Sequence, residues 1–375
     1  MLDVPAARDP AGLDVEISVE NSGEVPVSGF GFSSKVWELD VRFTSQTLWG
    51  REWRHDTSVY VPVEAHPEAT AGAMALVQGT PDNAVGGVSE QSVFRNNYGA
   101  MVAATMGVPA MVVTNLPGPT DPSGGPGGWQ GEIPGRCRGG SLPAGRYTSC
   151  LLQILRRTGD LEADPFRHVA YAWMRAVTAG SRAAAKAGEV DWPDGSPPSF
   201  QVDRAVVIAD GSADFAKIGK LLDRIDQRWS KGGDWFGDVG AFRQWLQSDA
   251  GQAWKTAVDP AEWPELLEEM SFVNARGTGE PRLPLGSGKL LADVFPEDTQ
   301  SVTAANYGEG IGSGDHLMGW YGYIAHVYLG DSWRTVEISA EQMDQNVEVG
   351  ATLSGEGTIS SAVVDYPQQH RQSDD

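Results

Sequence analysis

The stretch that decides the fold is 200–222, which reads FQVDRAVVIADGSADFAKIGKLL. Residues 204–208 form a short apolar run typical of a buried strand, and residues 213–222 carry apolar side chains at helical spacing. An open parallel sheet binds its ligands at strand-to-helix junctions of this kind. The segment therefore predicts a parallel sheet with a ligand site close to residue 210.

The turn of this junction contains Asp210, Gly211 and Ser212. A serine on a sharp strand-to-helix turn can expose its hydroxyl above the sheet, where the N–H of the next residue, here Ala213, supports an oxyanion. Asp, Gly and Ser are also ordinary N-cap residues. From this turn alone, a helix cap is the simpler interpretation.

Three further apolar runs precede this stretch, at 58–63, 73–77 and 109–114, and residues 90–106 between the last two have helical spacing. Such runs are typical of strands that are buried on both faces of a mostly parallel sheet. Residues 13–20 and 37–43 alternate apolar and polar side chains, which predicts antiparallel strands at the start of the chain. The sequence thus predicts an α/β fold, a mostly parallel sheet flanked by helices. The residues expected to be buried on its neighbouring strands are Val59, Val61, Met74, Leu76, Val112, Val207, Ile208 and Val273.

Two other regions complete the predicted organisation. Residues 147–186 are rich in Ala, Leu and Arg and predict one or two helices, broken near Asp160 and Pro165. Residues 335–339, 345–349 and 359–364 alternate again, which predicts a small β-rich C-terminal appendage. We therefore expect a main domain over 1–330, and the appendage with a polar tail over 331–375.

Composition excludes several classes of function. With 28 Lys and Arg against 50 Asp and Glu, the formal charge is 28 − 50 = −22, which disfavours nucleic acid as a partner. No stretch approaches the roughly 20 apolar residues that a membrane span needs. The six histidines have no metal-site spacing, and no G-x-G-x-x-G turn follows the first parallel strand, so neither a metal nor a cofactor is predicted. A small molecule or peptide remains as the expected partner, and the oligomeric state is left open.

Cys137 and Cys150 leave two interpretations open. A disulfide would stabilise the fold by about 3 kcal/mol, whereas two free thiols would suit a reducing cytoplasm. The first five residues lack the positive charge and apolar core of a secretory signal. The compartment is therefore left open by the residues themselves.

Downstream of Ser212 come an acid and a histidine in an order that suggests a catalytic triad. Glu280 follows a predicted strand at 270–275, and His316 lies 36 residues later in a Gly-rich segment. Serine, then acid, then histidine is the chain order of the α/β-hydrolase triad. Thr80 follows the strand whose exit supplies the second oxyanion N–H in that fold. His55 is expected to be a core residue or one that supports the site without contacting the substrate, and His326 a buried structural residue.

Several motifs over about residues 43–330 resemble the PhoPQ-activated pathogenicity-related proteins, a branch of the α/β-hydrolases. They are Thr44–Trp49 with Trp53–His55 before a strand closing in Pro62, Asp164–Ala170 with Met174–Val177, Val206–Ser212, Asn274–Glu280 and Asp315–His316. The resemblance implies a serine hydrolase acting on an ester or amide, with Ser212, Glu280 and His316 as its triad. It also implies an extracellular or periplasmic location.

The turn also departs from the general elbow pattern. The G-x-S-x-G elbow has glycine two residues before and two after the serine, where this chain has Asp210 and Asp214. Carboxylates beside a developing oxyanion would oppose it electrostatically. Two functions are therefore carried forward: an active serine hydrolase with Ala213 and Thr80 as oxyanion donors, and an inactive α/β-hydrolase fold used for binding or surface interaction.

Overall fold

A computed structural model describes most of the elements that the sequence predicts. The described residues are 15–29, 32–64, 72–78, 99–114, 116, 125–138, 144–189, 200–202, 204–208, 239–259, 262, 273–277, 300–304, 336–343 and 346–353. The strands are β1 Val15–Gly29, β2 Phe32–Leu48, β3 Arg51–Pro62, β4 Ala73–Gln78, β5 Ala110–Val113, β6 Arg204–Ile208, β7 Val273–Gly277, β8 Gln300–Ala304, β9 Val336–Met343 and β10 Asn346–Leu353. The helices are α1 at 99–106, α2 Ala144–Thr158, α3 Pro165–Ala187, α4 Val239–Leu246 and α5 Asp249–Val258, with short 3₁₀ turns at Gly127–Trp129, Gly135–Cys137 and Leu161–Ala163.

The central sheet has six described strands in the order β1-β2-β3-β5-β4-β6. The first three form antiparallel pairs, as the alternating pattern at the start of the chain predicted, and β3 is also antiparallel to β5. Strands β5, β4 and β6 are parallel. The described sheet is therefore mixed, since the apolar run at 58–62 belongs to a strand of reversed direction. An apolar run reports burial on both faces, and it does not report direction.

Helices cover both faces of this sheet, which confirms the predicted α/β class. On one face α3 packs so closely that a Cβ added at Gly180 would lie 2.8 Å from Met74 Sδ and 2.9 Å from Met111 Sδ. On the other face, a Cβ at Gly99 of α1 would lie 2.5 Å from Val112 Cγ2. Met111 and Val112 are consecutive in β5, and consecutive strand residues point to opposite faces.

The core residues expected from the apolar runs are largely confirmed. Val59, Val61, Met74 and Leu76 are fully buried, and Val112 is almost so. Val207 and Ile208 lie in β6 as predicted. The prediction that Val273 joins the central sheet is wrong for the described strands, because Val273 lies in β7 and β7 pairs with β8 in a separate two-stranded sheet.

The helical region also follows its local signals. Helix α2 ends at Thr158 and α3 begins at Pro165, so the predicted break near Asp160 and Pro165 is confirmed. Asp164 is the N-cap of α3, and its carboxylate accepts from the N–H of Phe166 at 3.1 Å. A proline at the first helical position has no N–H to lose, which makes this start favourable.

A disulfide between Cys137 and Cys150 joins the 3₁₀ turn at Gly135–Cys137 to α2. Their Cα atoms are 5.9 Å apart, and both residues are buried. Of the two interpretations that the sequence left open, the structure contains the bridged one.

The chain divides into two compact units, one made of residues 1–272 and 281–300 and the other of 273–280 and 301–375. The second unit contains the antiparallel hairpin of β9 and β10, which register from Asn346↔Met343 to Leu353↔Val336. This hairpin matches two of the three alternating segments predicted for the appendage, and the third, 359–364, lies outside the described residues. The predicted boundary at residue 330 also lies outside them and stays a prediction.

Candidate functional site

The residues predicted to carry the chemistry are not among the described ones. Ser212, Ala213, Thr80, Glu280 and His316 all lie outside that part of the chain, as do Asp210, Asp214 and His326. Their assignment stays a prediction.

The strands that lead to two of these residues are described, and they are neighbours. β4 and β6 are parallel and hydrogen-bonded, with Val77 opposite Ile208. The chain leaves β4 after Gln78 and β6 after Ile208, at adjacent points of one sheet edge. This is the carboxyl edge of the parallel strands, where an open α/β sheet places its ligands.

A buried serine and histidine pair lies close to this edge. His55 on β3 has its Nε2 2.9 Å from Ser45 Oγ on β2, and its Nδ1 2.8 Å from the carbonyl oxygen of Thr114. Thr114 is the first residue after β5. The ring is stacked between Phe43, at 4.6 Å between centroids, and Trp53, at 5.4 Å.

The Thr114 carbonyl determines the tautomer of the ring. A carbonyl oxygen only accepts, so Nδ1 carries the proton, and in the neutral ring Nε2 accepts from the Ser45 hydroxyl. The carbonyl of Trp53, 3.4 Å from Ser45 Oγ, is the longer alternative for that hydroxyl proton. Burial lowers the pKa of His55 to about 4, although the Thr114 hydrogen bond and the Asp56 carboxylate oppose the shift.

This pair has the geometry of a nucleophile and base oriented by a third group. Two observations argue against that chemistry. Ser45 is 3% exposed and His55 is 0% exposed, so neither group is available to a substrate. An imidazole with a pKa of about 4 is also a weak general base near neutral pH. The structure therefore confirms the prediction that His55 is a core residue.

Sequence reasoning missed the role of Ser45 because a bulge changes its orientation. The register of β2 and β3 shifts between Thr44↔Arg54 and Gln46↔Trp53, which leaves Ser45 as the extra residue. A bulge re-aims a side chain and often lies beside a functional site. The available signal was the Thr44–Trp49 motif together with Trp53–His55.

A second buried polar group lies where the β2–β3 hairpin meets α2 and α3. Tyr147 Oη is 3.4 Å from His168 Nδ1, and Gln46 Nε2 donates to the His168 carbonyl oxygen at 2.8 Å. The ring of Trp49 makes edge contacts with Trp129, at 5.2 Å between centroids, and with His168, at 5.8 Å. Burial lowers the pKa of His168 to about 4, so this ring is also neutral near pH 7.

Two capping residues, Asp160 and Asp164, adjoin this group, and Trp129 contacts the first of them. Trp129 Nε1 donates to the carboxylate of Asp160 at 2.7 Å. Asp164 is 4% exposed, and this burial raises its pKa to about 6. Hydrogen bonds from the N–H groups of Phe166 and Arg167 act in the opposite direction and lower the pKa. These contacts give the start of the Asp164–Ala170 segment a structural role, since Asp164 caps α3.

Neither a metal site nor a membrane span is found among the described residues. In the part of the chain that the structure describes, no three His, Cys, Asp or Glu side chains are grouped closely enough to hold a metal ion. Among the same residues, no helix is both long and apolar enough to cross a membrane.

Comparison with known proteins gives weak similarity to esterases. An acetyl xylan esterase from a Paenibacillus species is 12% identical, with 86% of this chain and 92% of that chain covered and a TM-score of 0.46. Acetyl xylan esterase 1 from a Thermoanaerobacterium species is 13% identical, covering 87% of this chain and 90% of that one, with a TM-score of 0.44. An S-formylglutathione hydrolase from Agrobacterium tumefaciens is 13% identical, covering 80% and 98%, with a TM-score of 0.36.

No family model matches the chain, and no curated protein matches it either. The resemblance to the PhoPQ-activated pathogenicity-related proteins therefore stays a prediction from the motifs. The identities and TM-scores of the solved structures are too low to assign an activity.

Proposed function

We propose that this chain is a serine hydrolase that cleaves an ester or amide bond of a small molecule or peptide. Ser212 is the nucleophile, His316 the general base and then acid, and Glu280 the carboxylate that orients the imidazole. The N–H groups of Ala213 and Thr80 bind the oxyanion.

The parallel pairing of β4 with β6 is the observation that carries this proposal. Ser212 follows Ile208 by four residues and Thr80 follows Gln78 by two. An extended chain spans at most about 14 Å over four residues and about 7 Å over two. Neighbouring strands are about 4.8 Å apart, so the ends of β4 and β6 are close enough to serve one site, which supports the proposal.

Glu280 and His316 enter the proposal from chain order and composition. Glu280 follows β7 by three residues, as an acid on a strand-end turn should. His316 follows Asp315 in a Gly-rich segment. The proposal requires that the carboxylates of Asp210 and Asp214 do not oppose the oxyanion. The Asp214 carboxylate would point away from it by accepting hydrogen bonds from the N–H groups at the start of a helix.

A fluorophosphonate probe with peptide mapping tests the nucleophile. We expect labelling on the peptide that contains Ser212, and we expect Ser212→Ala to abolish it and to lower turnover of short-chain aryl esters by several orders of magnitude. The free energy of unfolding should fall by no more than the loss of a helix N-cap costs, about 1 kcal/mol. The matched control is Ser248→Ala, which removes an exposed N-cap serine of α5 and should leave labelling intact.

The outcomes separate the two functions. Unchanged labelling in folded Ser212→Ala would remove Ser212 from the mechanism. A second arm compares the parent with the double variant Asp210→Gly and Asp214→Gly, which relieves crowding and removes two charges. Absence of labelling and of turnover in both proteins would favour the inactive fold over the hydrolase.

A further inference from the structure

The His55 ring bridges the strands of the β2–β3 hairpin and the end of β5. We call Ser45, His55 and Thr114 the His55 clamp. Its two hydrogen bonds, 2.9 Å to Ser45 Oγ and 2.8 Å to the Thr114 carbonyl oxygen, use both ring nitrogens. No rotation of the ring satisfies both partners except the observed one.

The clamp lies at the carboxyl edge of the parallel strands. β5 is paired with β4 through Val77↔Val112 and Gln78↔Val113, so Thr114 follows β5 where the chain leaves β4 towards Thr80. The reversed direction of β3 brings His55 to this edge: Ser58 is opposite Val112, and His55 comes three residues earlier. The clamp therefore acts where the chain leaves β5, beside the end of β4.

Two more hydrogen bonds join the end of β5 to β3, at the two residues directly after His55. Thr57 Oγ1 donates to the carbonyl of Val112, and Thr114 Oγ1 donates to the carbonyl of Asp56. Leu116, two residues further on, is buried in the core. After β5, the chain is thus held by hydrogen bonds at Thr114 and by packing at Leu116.

Packing alone does not explain a histidine at this position. The stacking of its ring between Phe43 and Trp53 would be equally available to a phenylalanine. A phenylalanine cannot provide the donor for the Thr114 carbonyl, so the carbonyl oxygen of this half-buried residue would lose its hydrogen bond to the ring. The hydrogen bond adds direction, since it sets where the Thr114 carbonyl points.

We propose that His55 is a positioning residue for the hydrolase site, acting through its Nδ1 hydrogen bond to Thr114 rather than through contact with substrate. By holding Thr114, His55 orders the segment that leaves β5 next to the exits of β4 and β6. This inference rests on the proposed function, and it adds a residue that the triad and the oxyanion donors do not include.

Two substitutions separate the two hydrogen bonds. His55→Asn keeps an amide donor near the place of Nδ1, so it retains the Thr114 bond and loses the Ser45 bond. His55→Gln extends its amide to the place of Nε2, so it retains the Ser45 bond and loses the Thr114 bond. Both variants lose the stacked ring, and His55→Phe keeps the stacking without either hydrogen bond.

The measurements are kcat and KM for a short-chain aryl ester, the free energy of unfolding, and amide hydrogen exchange of the peptide covering 110–116. We expect His55→Gln and His55→Phe to lower kcat by about 10- to 100-fold with little change in KM, and His55→Asn to stay close to the parent. The rate of hydrogen exchange in the 110–116 peptide should rise by about tenfold in His55→Gln and His55→Phe, and should not rise in His55→Asn. The free energies of unfolding of His55→Asn and His55→Gln should be similar, which excludes a purely structural explanation.

Each outcome decides something. Equal exchange in His55→Asn and His55→Gln would overturn the clamp. Different exchange with equal kcat would overturn its role in the reaction. If the parent shows neither turnover nor fluorophosphonate labelling, the proposed function fails, and the exchange data still decide whether the Thr114 bond orders this segment.

Discussion

Trp49 has a backbone conformation that a bulky residue rarely adopts. Its φ is 54°, Gly50 follows with φ 76°, and the two residues join β2 to β3 between the paired Leu48 and Arg51. Two positive φ values in a two-residue hairpin turn are typical of type I′, which favours Asn-Gly. A left-handed conformation costs about 1–2 kcal/mol for a residue with a Cβ. The ring contacts of Trp49 with Trp129 and His168 offset that cost.

We therefore expect Trp49→Asn to destabilise the protein by about 1–2 kcal/mol, even though it relaxes the turn. Loss of a partly buried aromatic side chain outweighs the strain that asparagine relieves. Equilibrium denaturation measures the change, and Trp49→Phe, which keeps an aromatic contact, should fall between Trp49→Asn and the parent. An asparagine variant more stable than the parent would show that strain exceeds contact energy at this turn.

Close contacts between elements depend on two glycines. In α5, a Cβ at Gly251 would lie 2.1 Å from the carbonyl oxygen of Trp245 and 2.6 Å from Leu246 Cα, both backbone atoms of α4. In α3, a Cβ at Gly180 would meet the sulfur atoms of Met74 and Met111 at 2.8 and 2.9 Å. Methionine side chains can adjust, whereas a backbone has to move with its helix.

The cost of alanine should follow this difference. We expect Gly251→Ala to destabilise by about 3 kcal/mol or more and Gly180→Ala by about 1–2 kcal/mol. Gly131→Ala is the control, since a Cβ there has nothing within 4 Å, and we expect a change of no more than about 0.5 kcal/mol. Thermal and chemical denaturation of the three variants give the order. If Gly251→Ala were as mild as Gly131→Ala, the α4–α5 contact would not be as tight as described.

At the scale of the whole molecule, buried titratable groups make stability depend on pH in opposite directions. Burial lowers the pKa of His55 and of His168 from 6.5 to about 4. Between these values the unfolded chain binds protons that the folded chain does not, so stability falls as the pH falls from 6.5 to 4. Burial raises the pKa of Asp164 from 3.8 to about 6, so its contribution falls as the pH rises through that window.

On acidification through its window, each histidine lowers the free energy of unfolding by about 3 kcal/mol, and Asp164 raises it by about 3 kcal/mol. We expect acidification from pH 6.5 to 4 to cost about 3 kcal/mol from these three groups. Asp164→Asn keeps a good N-cap and removes the opposing titration. It should therefore raise stability at pH 7 by about 1–3 kcal/mol and steepen the acid loss.

Urea denaturation at half-unit pH steps measures both slopes. If the free energy of unfolding fell less on acidification in Asp164→Asn than in the parent, this would contradict the raised pKa of Asp164.

The sequence by itself determined the features that depend on neighbouring residues. The break between α2 and α3 follows from Asp164 and Pro165, which cap and start a helix by local chemistry. The β9–β10 hairpin follows from its alternation, and the burial of Val59, Leu76 and Val112 follows from their apolar runs. Periodicity and caps act within a few residues, so they can be read directly from the chain.

Only the tertiary structure decided the features that join distant residues. The direction of β3, the bridge between Cys137 and Cys150, and the separate sheet of β7 all depend on which segments meet. The His55 clamp needs the bulge at Ser45 and the pairing of β3 with β5, and it joins residues up to 69 positions apart (114 − 45 = 69). A pattern of apolar and polar residues specifies which faces are buried, whereas register, strand direction and hydrogen-bond partners are set by the packing of whole elements against each other.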